Sequence, residues 1–304
     1  MSRRALKWGL QLVAVGLLAW WAIFQADWPQ MGRALSRMPA VNFLGALVFA
    51  FLSVCLAGWR WRIMLHGFGA IWLPPVTSLI RLFFVGLFYN TFVPGSVGGD
   101  VLRGVISRRC FEGGVASYVV VGVDRLIGLS ALATVAAVGL WASPPWLVLE
   151  GGSIWLIVGV SGAGVLAIAV LVALNGALGD RLRRMWADIP QVHHPRSLMF
   201  AWLISLTGHG LTLGAYTLIA HGLGLPLTVG TLAWVVPLAL LAAVIPIAVA
   251  GVGPREAVVV GLLALMQIPR EDALVFSLSF AMILWLMAGV GGGFSVLGRA
   301  ELEG

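Results

Sequence analysis

Three short runs place charged residues inside otherwise apolar sequence, two of them beside helix-breaking residues. Residues 88–103 read FYNTFVPGSVGGDVLR, with Asp100 and Arg103 following Pro94 and three glycines. Residues 248–258 read AVAGVGPREAV, with Arg255 and Glu256 following Gly251, Gly253 and Pro254. Between them, VVVGVDRLIGLSAL carries Asp124 and Arg125 side by side. The chemistry these residues favour is anion binding. A helix that starts after a Gly/Pro break offers free N–H groups and the positive end of its dipole. An arginine beside such an end adds a formal charge, and a lipid phosphate is the anion that fits.

In the first run, Pro94 stops the incoming helix. Gly95, Gly98 and Gly99 supply backbone conformations that other residues resist. Ser96 belongs to the same turn, and Asp100 stands where a helix N-cap belongs. Tyr89 and Asn90 precede the break, where they could cap exposed carbonyls or touch a headgroup. In the second run, Gly251 and Gly253 make the turn and Pro254 suits a first helical position.

Asp124 and Arg125 pose a different question. A charge at bilayer depth costs about 2.5–3.5 kcal/mol on insertion scales. Neighbours on a helix point about 100° apart, so the two do not neutralise each other. Arg103 or Arg255 is the expected partner of Asp124, and Asp100 or Glu256 that of Arg125. Two readings stand: a buried ion cluster that fixes helix packing, and a group that handles substrate or protons.

The elements around these runs follow from composition. The 304 residues are 60% hydrophobic, and only 10% are Asp, Glu, Lys or Arg. Soluble domains carry about 25% charged residues. The chain therefore reads as an all-α polytopic membrane protein, a single transmembrane domain over 1–304. Its 14 tryptophans suit the headgroup level. The net charge of +7 reads as a cytoplasmic face that attracts anionic lipid, not as a nucleic-acid signal.

Apolar runs fall at 8–24, 41–59, 76–93, 115–141, 154–174, 198–221, 230–249 and 273–297. Pieces 99–109 and 255–266 follow the two breaks and are too short to span. The run 8–24 lacks a clean cleavage site and reads as a retained first span. Segment 26–40 reads as an amphipathic piece on the outer interface. Basic residues then decide the topology. Arg3, Arg4 and Lys7 hold the N-terminus in the cytoplasm, and Arg60 and Arg62 return to that side. If 76–93 crossed fully, Arg108, Arg109 and the basic loop 175–197 would fall outside. If it turns at PGSVGG and returns, they fall inside. The same argument applies to 230–266. The prediction is six full spans plus two re-entrant hairpins, at about 76–109 and 230–266, with both termini cytoplasmic; eight or more full spans is the alternative. Hairpins entering from opposite sides define an inverted repeat whose broken helices meet near the midplane.

Other signals carry less. Arg81 reads as a residue snorkelling to the headgroups. His193 and His194 lack the partners of a metal site. His209, Gly210 with Gly214, and Gly289 with Gly293 read as helix-packing residues. Cys55 and Cys110 read as inert thiols. No phosphate-binding loop for ATP is present, and no cofactor or metal is expected.

The blocks NTFVPGSVGGDVLRG, VDRLIGL and AGVGPREAVVVGLL together resemble the membrane domain of lysyl-phosphatidylglycerol synthase/flippase proteins, over about residues 8–297. The resemblance implies lipid translocation between leaflets. It assigns the family blocks to Pro94, Gly95, Gly98, Gly99, Asp100 and Arg103, to Asp124, Arg125 and Gly128, and to Gly251, Gly253, Arg255 and Glu256. The chain stops seven residues after the last span, where fused members carry a soluble transferase domain. It therefore looks like a stand-alone flippase-like protein of a bacterial inner membrane, without aminoacyl transfer. The implied partners are an anionic phospholipid or a polyprenyl-phosphate-linked lipid, and a homo-oligomer is compatible with this. Asp100, Asp124 and Glu256 are candidates for proton coupling. The rival readings are a membrane-embedded lipid-modifying enzyme, a small-anion transporter and an accessory subunit.

Overall fold

In a computed structural model, the described residues are 29, 36–92, 98–112, 116–144, 192–243 and 253–297. The anticipated spans 8–24 and 154–174, most of segments 26–40 and 175–197, and the break residues Pro94, Gly95, Ser96 and Gly251 lie outside them. Every regular element among the described residues is helical. In chain order they are α1 (Ala40–Gly67), α2 (Val76–Phe92), α3 (Gly98–Ile106) with a 3-10 turn (Ser107–Cys110), and α4 (Ala116–Ala142). Then come α5 (Pro195–Gly222), α6 (Val229–Ala242), α7 (Pro254–Leu265) and α8 (Arg270–Leu297).

Helices α1, α4, α5 and α8 are long and apolar enough to cross a membrane. At about 1.5 Å per residue each exceeds the roughly 30 Å hydrocarbon core. They coincide with the runs expected at 41–59, 115–141, 198–221 and 273–297 and extend beyond them. Pro195 opens α5 at a position where its missing N–H costs nothing, and Gly224 turns the chain after it at φ +69°. Outward-facing Val41, Leu44 and Val48 give α1 a lipid-facing side. Helix α8 is central: Phe276, Phe280, Ile283 and Met287 are all buried.

The helices meet through small residues. On the α1–α5 seam, a Cβ on Gly214 would stand 2.8 Å from the Phe49 ring, and Asn42 Nδ2 donates to the Leu218 carbonyl at 3.0 Å. On the α2–α8 seam, a Cβ on Gly291 would overlap the Phe84 carbonyl, and one on Gly292 would press on the Phe88 ring at 3.0 Å. This corrects the expected Gly289/Gly293 contact. Those two glycines have open space where a Cβ would go. They lie two residues from Gly291, about 200° around the helix, so they face away from α2. Gly210 likewise meets nothing, and only Gly214 of that pair is at a seam.

Helix α3 has nine residues, about 14 Å, too short to span. It folds back on α2: a Cβ on Gly99 would stand 2.7 Å from the Gly86 carbonyl oxygen. A side chain at position 99 would not permit this approach, since the obstacle is backbone. Helices α6 and α7 form a second pair, with Trp234, Val235, Leu238 and Leu262 in one apolar cluster. Pro237 lies inside α6, where it removes one helical hydrogen bond.

Candidate functional site

The charges of α1, α3 and α4 form one continuous network. Asp124 is 1% exposed and lies between two arginines. Arg60 Nη2 donates to its Oδ2 at 2.9 Å, and Arg103 Nη1 donates to the same oxygen at 3.1 Å. Arg60 Nε faces Oδ1 at 2.8 Å as an ion contact, without hydrogen-bond alignment. Arg103 also reaches Asp100. Arg125 Nε donates to the other Asp100 oxygen at 2.7 Å. The order is Arg60–Asp124–Arg103–Asp100–Arg125. Three guanidiniums against two carboxylates leave one unbalanced positive charge.

Position along the helix explains the split between Asp124 and Arg125. The 100° step turns Asp124 into the bundle and leaves the Arg125 side chain 50% exposed. Arg103 lies against two rings, with its guanidinium 4.6 Å from the Phe83 centroid and 5.0 Å from that of Trp61. Such contacts stabilise a desolvated cation. Trp61 in turn donates to Ser107 Oγ at 3.2 Å, so its ring is itself held in place. Of the partners open to Asp124 and Arg125, the structure takes Arg103 and Asp100.

Two expectations change. Asp100 is the third residue of α3, not its N-cap, because the helix starts at Gly98 and the carboxylate is taken by Arg103 and Arg125. The side chain that serves the helix start is Asn90, whose Oδ1 accepts from the Gly99 amide at 2.8 Å. It caps an N–H rather than a carbonyl. Arg60, read from sequence as a cytoplasmic-side charge, is also a member of the network, whereas Arg62 donates to the Pro74 carbonyl at 3.1 Å.

The start of α7 carries its own network. Pro254 opens α7, and Glu256 Oε2 accepts from the Gly253 amide at 2.7 Å. Its other oxygen accepts from Arg255 Nε at 2.7 Å. Both side chains are buried, and the pair is neutral. Arg255 lies 5.5 Å from the Phe280 ring, which stacks on Tyr216 at 4.1 Å. The buried Tyr216 hydroxyl has no partner among the described residues.

Two cavities flank the α1–α5 seam. One, of about 360 Å³, is apolar and lined by Leu52, Leu56, Trp59, Val76, Ile80 and Leu211. The other, of about 210 Å³, is lined by Ser53, Arg60, Ser205, Gly208, His209 and Thr212, with Leu56 again in its wall. Arg60 thus joins the ion network to a polar cavity. Its Nη1 donates to Ser205 Oγ at 2.8 Å. His209 links α5 to α4, with Nε2 donating to the Gly128 carbonyl at 3.0 Å. Sequence reasoning missed Arg60 as a member of the network and Ser53, Ser205 and Thr212 as residues of the cavity wall.

Elsewhere, Arg81 lies 5.8 Å from the Phe294 ring, so it braces α2 against α8. His194 stacks on His66 at 4.7 Å, and the amides of His193 and His194 both donate to the Gly67 carbonyl. Among the described residues no group of three or more His, Cys, Asp or Glu is placed to hold a metal.

Residues 8–292 match the family described as the lysylphosphatidylglycerol synthase TM region. A "UPF0104 membrane protein" of Methanothermobacter thermautotrophicus is 28% identical over 181 residues, 57% of this chain and 49% of the relative. The match thus spans about half the length of that relative.

Proposed function

The chain belongs to the lysylphosphatidylglycerol synthase TM-region family of multi-pass membrane proteins, and on that premise we propose that it moves an anionic, phosphate-bearing lipid between leaflets. The observation that carries this reading is the network around Asp124. It holds one more guanidinium than carboxylates, and its outermost member, Arg125, is half exposed beside the start of a short helix. A phosphate can compete with Asp100 for Arg125, using a charge-assisted and bidentate contact. The dipole of α3 and the spare positive charge both favour it.

The wider mechanism rests on the family and on the two helix pairs. In this reading α2–α3 and α6–α7 are re-entrant hairpins within six full spans, entering from opposite faces as an inverted repeat. One repeat rocks against the other, and the tails stay in lipid while the headgroup passes the network. The protein sits in a bacterial inner membrane with both termini cytoplasmic and performs no chemical conversion. Protonating Asp100, Asp124 or Glu256 would free a guanidinium for phosphate, which is how a proton gradient would enter the cycle.

Native mass spectrometry of the full chain in mild detergent, with identification of retained lipid, tests the reading. Wild type is expected to hold a phosphate-bearing lipid. Arg125→Gln should lose most of it, and Arg255→Gln less, because Arg255 is closed by Glu256. Equal retention by wild type and Arg125→Gln would remove the phosphate from this seat. No retained lipid would turn the reading toward a soluble anion.

A further inference from the structure

The polar cavity between α1 and α5 has a wall rich in hydrogen-bond acceptors. Three of its hydroxyls already spend their protons on their own helices. Ser53 Oγ donates to the Ala50 carbonyl at 2.8 Å, Ser205 Oγ to Ala201 at 2.8 Å, and Thr212 Oγ1 to Gly208 at 3.1 Å. A carbonyl only accepts, so these assignments leave the hydroxyl oxygens as acceptors. His209 follows the same rule. Its Nε2 carries the proton donated to Gly128, and no described residue partners Nδ1, the acceptor of the neutral ring. The donor in the wall is Arg60, already engaged with Asp124 and Ser205.

The cavity therefore lacks what a phosphate needs, an array of donors. It offers Ser53 Oγ, Thr212 Oγ1 and the ring nitrogen of His209 as acceptors, with remaining N–H groups of Arg60 at one end. A group that both donates and accepts matches this wall, and an alcohol does so. The space is real at the backbone too: a Cβ on Gly208 would meet nothing within 4 Å. Asp124 and Arg103 continue from Arg60 toward Asp100 and Arg125.

We propose that the α1–α5 cavity binds a neutral polyhydroxyl group, a glycerol or sugar, by taking up its donated protons at Ser53, His209 and Thr212. It rests on the proposed function insofar as the group is the outer part of the lipid headgroup, with the phosphate seated at Arg125. A free polyol offers the same chemistry and is separated by the test below.

The full chain is placed in nanodiscs of neutral phosphatidylcholine. It is titrated with short-chain phosphatidylglycerol, and with short-chain phosphatidylpropanol, which has the same charge and no hydroxyls. Intrinsic tryptophan fluorescence reports binding. Wild type is expected to prefer phosphatidylglycerol by about tenfold, the worth of one to two good hydrogen bonds. Thr212→Val and Ser53→Ala should each cut that preference about twofold and leave phosphatidylpropanol binding unchanged. Neither change removes a hydrogen bond between helices. Gly208→Leu fills the cavity and should abolish the preference. Equal binding of the two lipids by wild type would overturn the polyol site and leave the anionic-lipid reading intact. A preference that survives all three variants would also overturn it, placing the hydroxyls elsewhere. If neither lipid binds but free glycerol or mannose does, with loss in Thr212→Val, the polyol site stands and the lipid reading falls. Binding of none of the four probes removes both.

Discussion

Asp124 and Arg103 meet at 3.1 Å, although 21 residues and a change of helix separate them. The contact joins the helix after the first break to the long helix α4, and Arg60 on α1 closes it from the other side. Three elements are thus tied through one carboxylate that is 1% exposed. Asp124→Asn leaves the buried Arg103 and the largely buried Arg60 facing a neutral amide. Breaking a buried pair in this way costs about 3–5 kcal/mol. Thermal unfolding in detergent should show a large fall in midpoint for Asp124→Asn. Adding Arg60→Gln should cost less than the sum of the two single changes, because the removed cation no longer lacks a partner. An unchanged midpoint in Asp124→Asn would mean that the network does not hold the helices together.

Much of this was legible in the sequence, for a physical reason. A charge inside an apolar run has few places to go, so the sequence narrowed the partner of Asp124 to Arg103 or Arg255 and that of Arg125 to Asp100 or Glu256, and the structure takes the first of each. The long helices were legible too, because length and apolarity suffice to mark them. Arg60 was not. It sits two residues from Arg62 at the end of an apolar run, and a basic pair there is what a membrane boundary ordinarily supplies. Ser53, Ser205 and Thr212 were invisible because single hydroxyls in apolar helices satisfy themselves against their own backbone. Only the pairing of α1 with α5, across about 150 residues, turns them into one wall. The glycine seam was misread by spacing: a four-residue repeat marks a face, and which face meets α2 is decided by packing.

That seam makes a second prediction. Gly291 admits no Cβ because the Phe84 carbonyl occupies the space, whereas Gly289 faces open space. Gly291→Ala should destabilise by about 1–3 kcal/mol through overpacking, since the obstacle is backbone and cannot rotate away. Gly289→Ala should be neutral or stabilising by up to about 1 kcal/mol, the helix-propensity gain of alanine. Parallel unfolding curves of the two variants check this, and the reverse order would place the other glycine face against α2.

A third prediction concerns Cys110, which closes the 3-10 turn after α3 and is 1% exposed. Burial pushes its thiol pKa above the ordinary value. The thiolate is the reactive form, so a raised pKa and a closed environment act in the same direction. In a Cys55→Ala background, maleimide labelling at pH 8 should be slow in the folded protein and rapid after denaturation. The rate in the folded state should rise with pH beyond the usual thiol range. Fast labelling at pH 7 would mean that the turn opens readily to solvent.

Asn90 separates capping from ligand contact at the head of α3. Its Oδ1 accepts from the Gly99 amide, one of the donors the first turn cannot satisfy internally. Asn90→Ala should therefore cost about 1 kcal/mol, the usual loss when a cap is removed. Asn90→Asp keeps the acceptor and places a negative charge near the positive end of the dipole, so stability should hold or rise slightly. Lipid retention should move the other way. The aspartate would bring a third carboxylate to a network of three guanidiniums and cancel the charge that favours phosphate. A variant that is as stable as wild type but retains less anionic lipid would place the headgroup beside the start of α3. If Asn90→Asp kept both stability and lipid, the spare charge would be read by the ligand farther along, at the Arg125 end or beyond it.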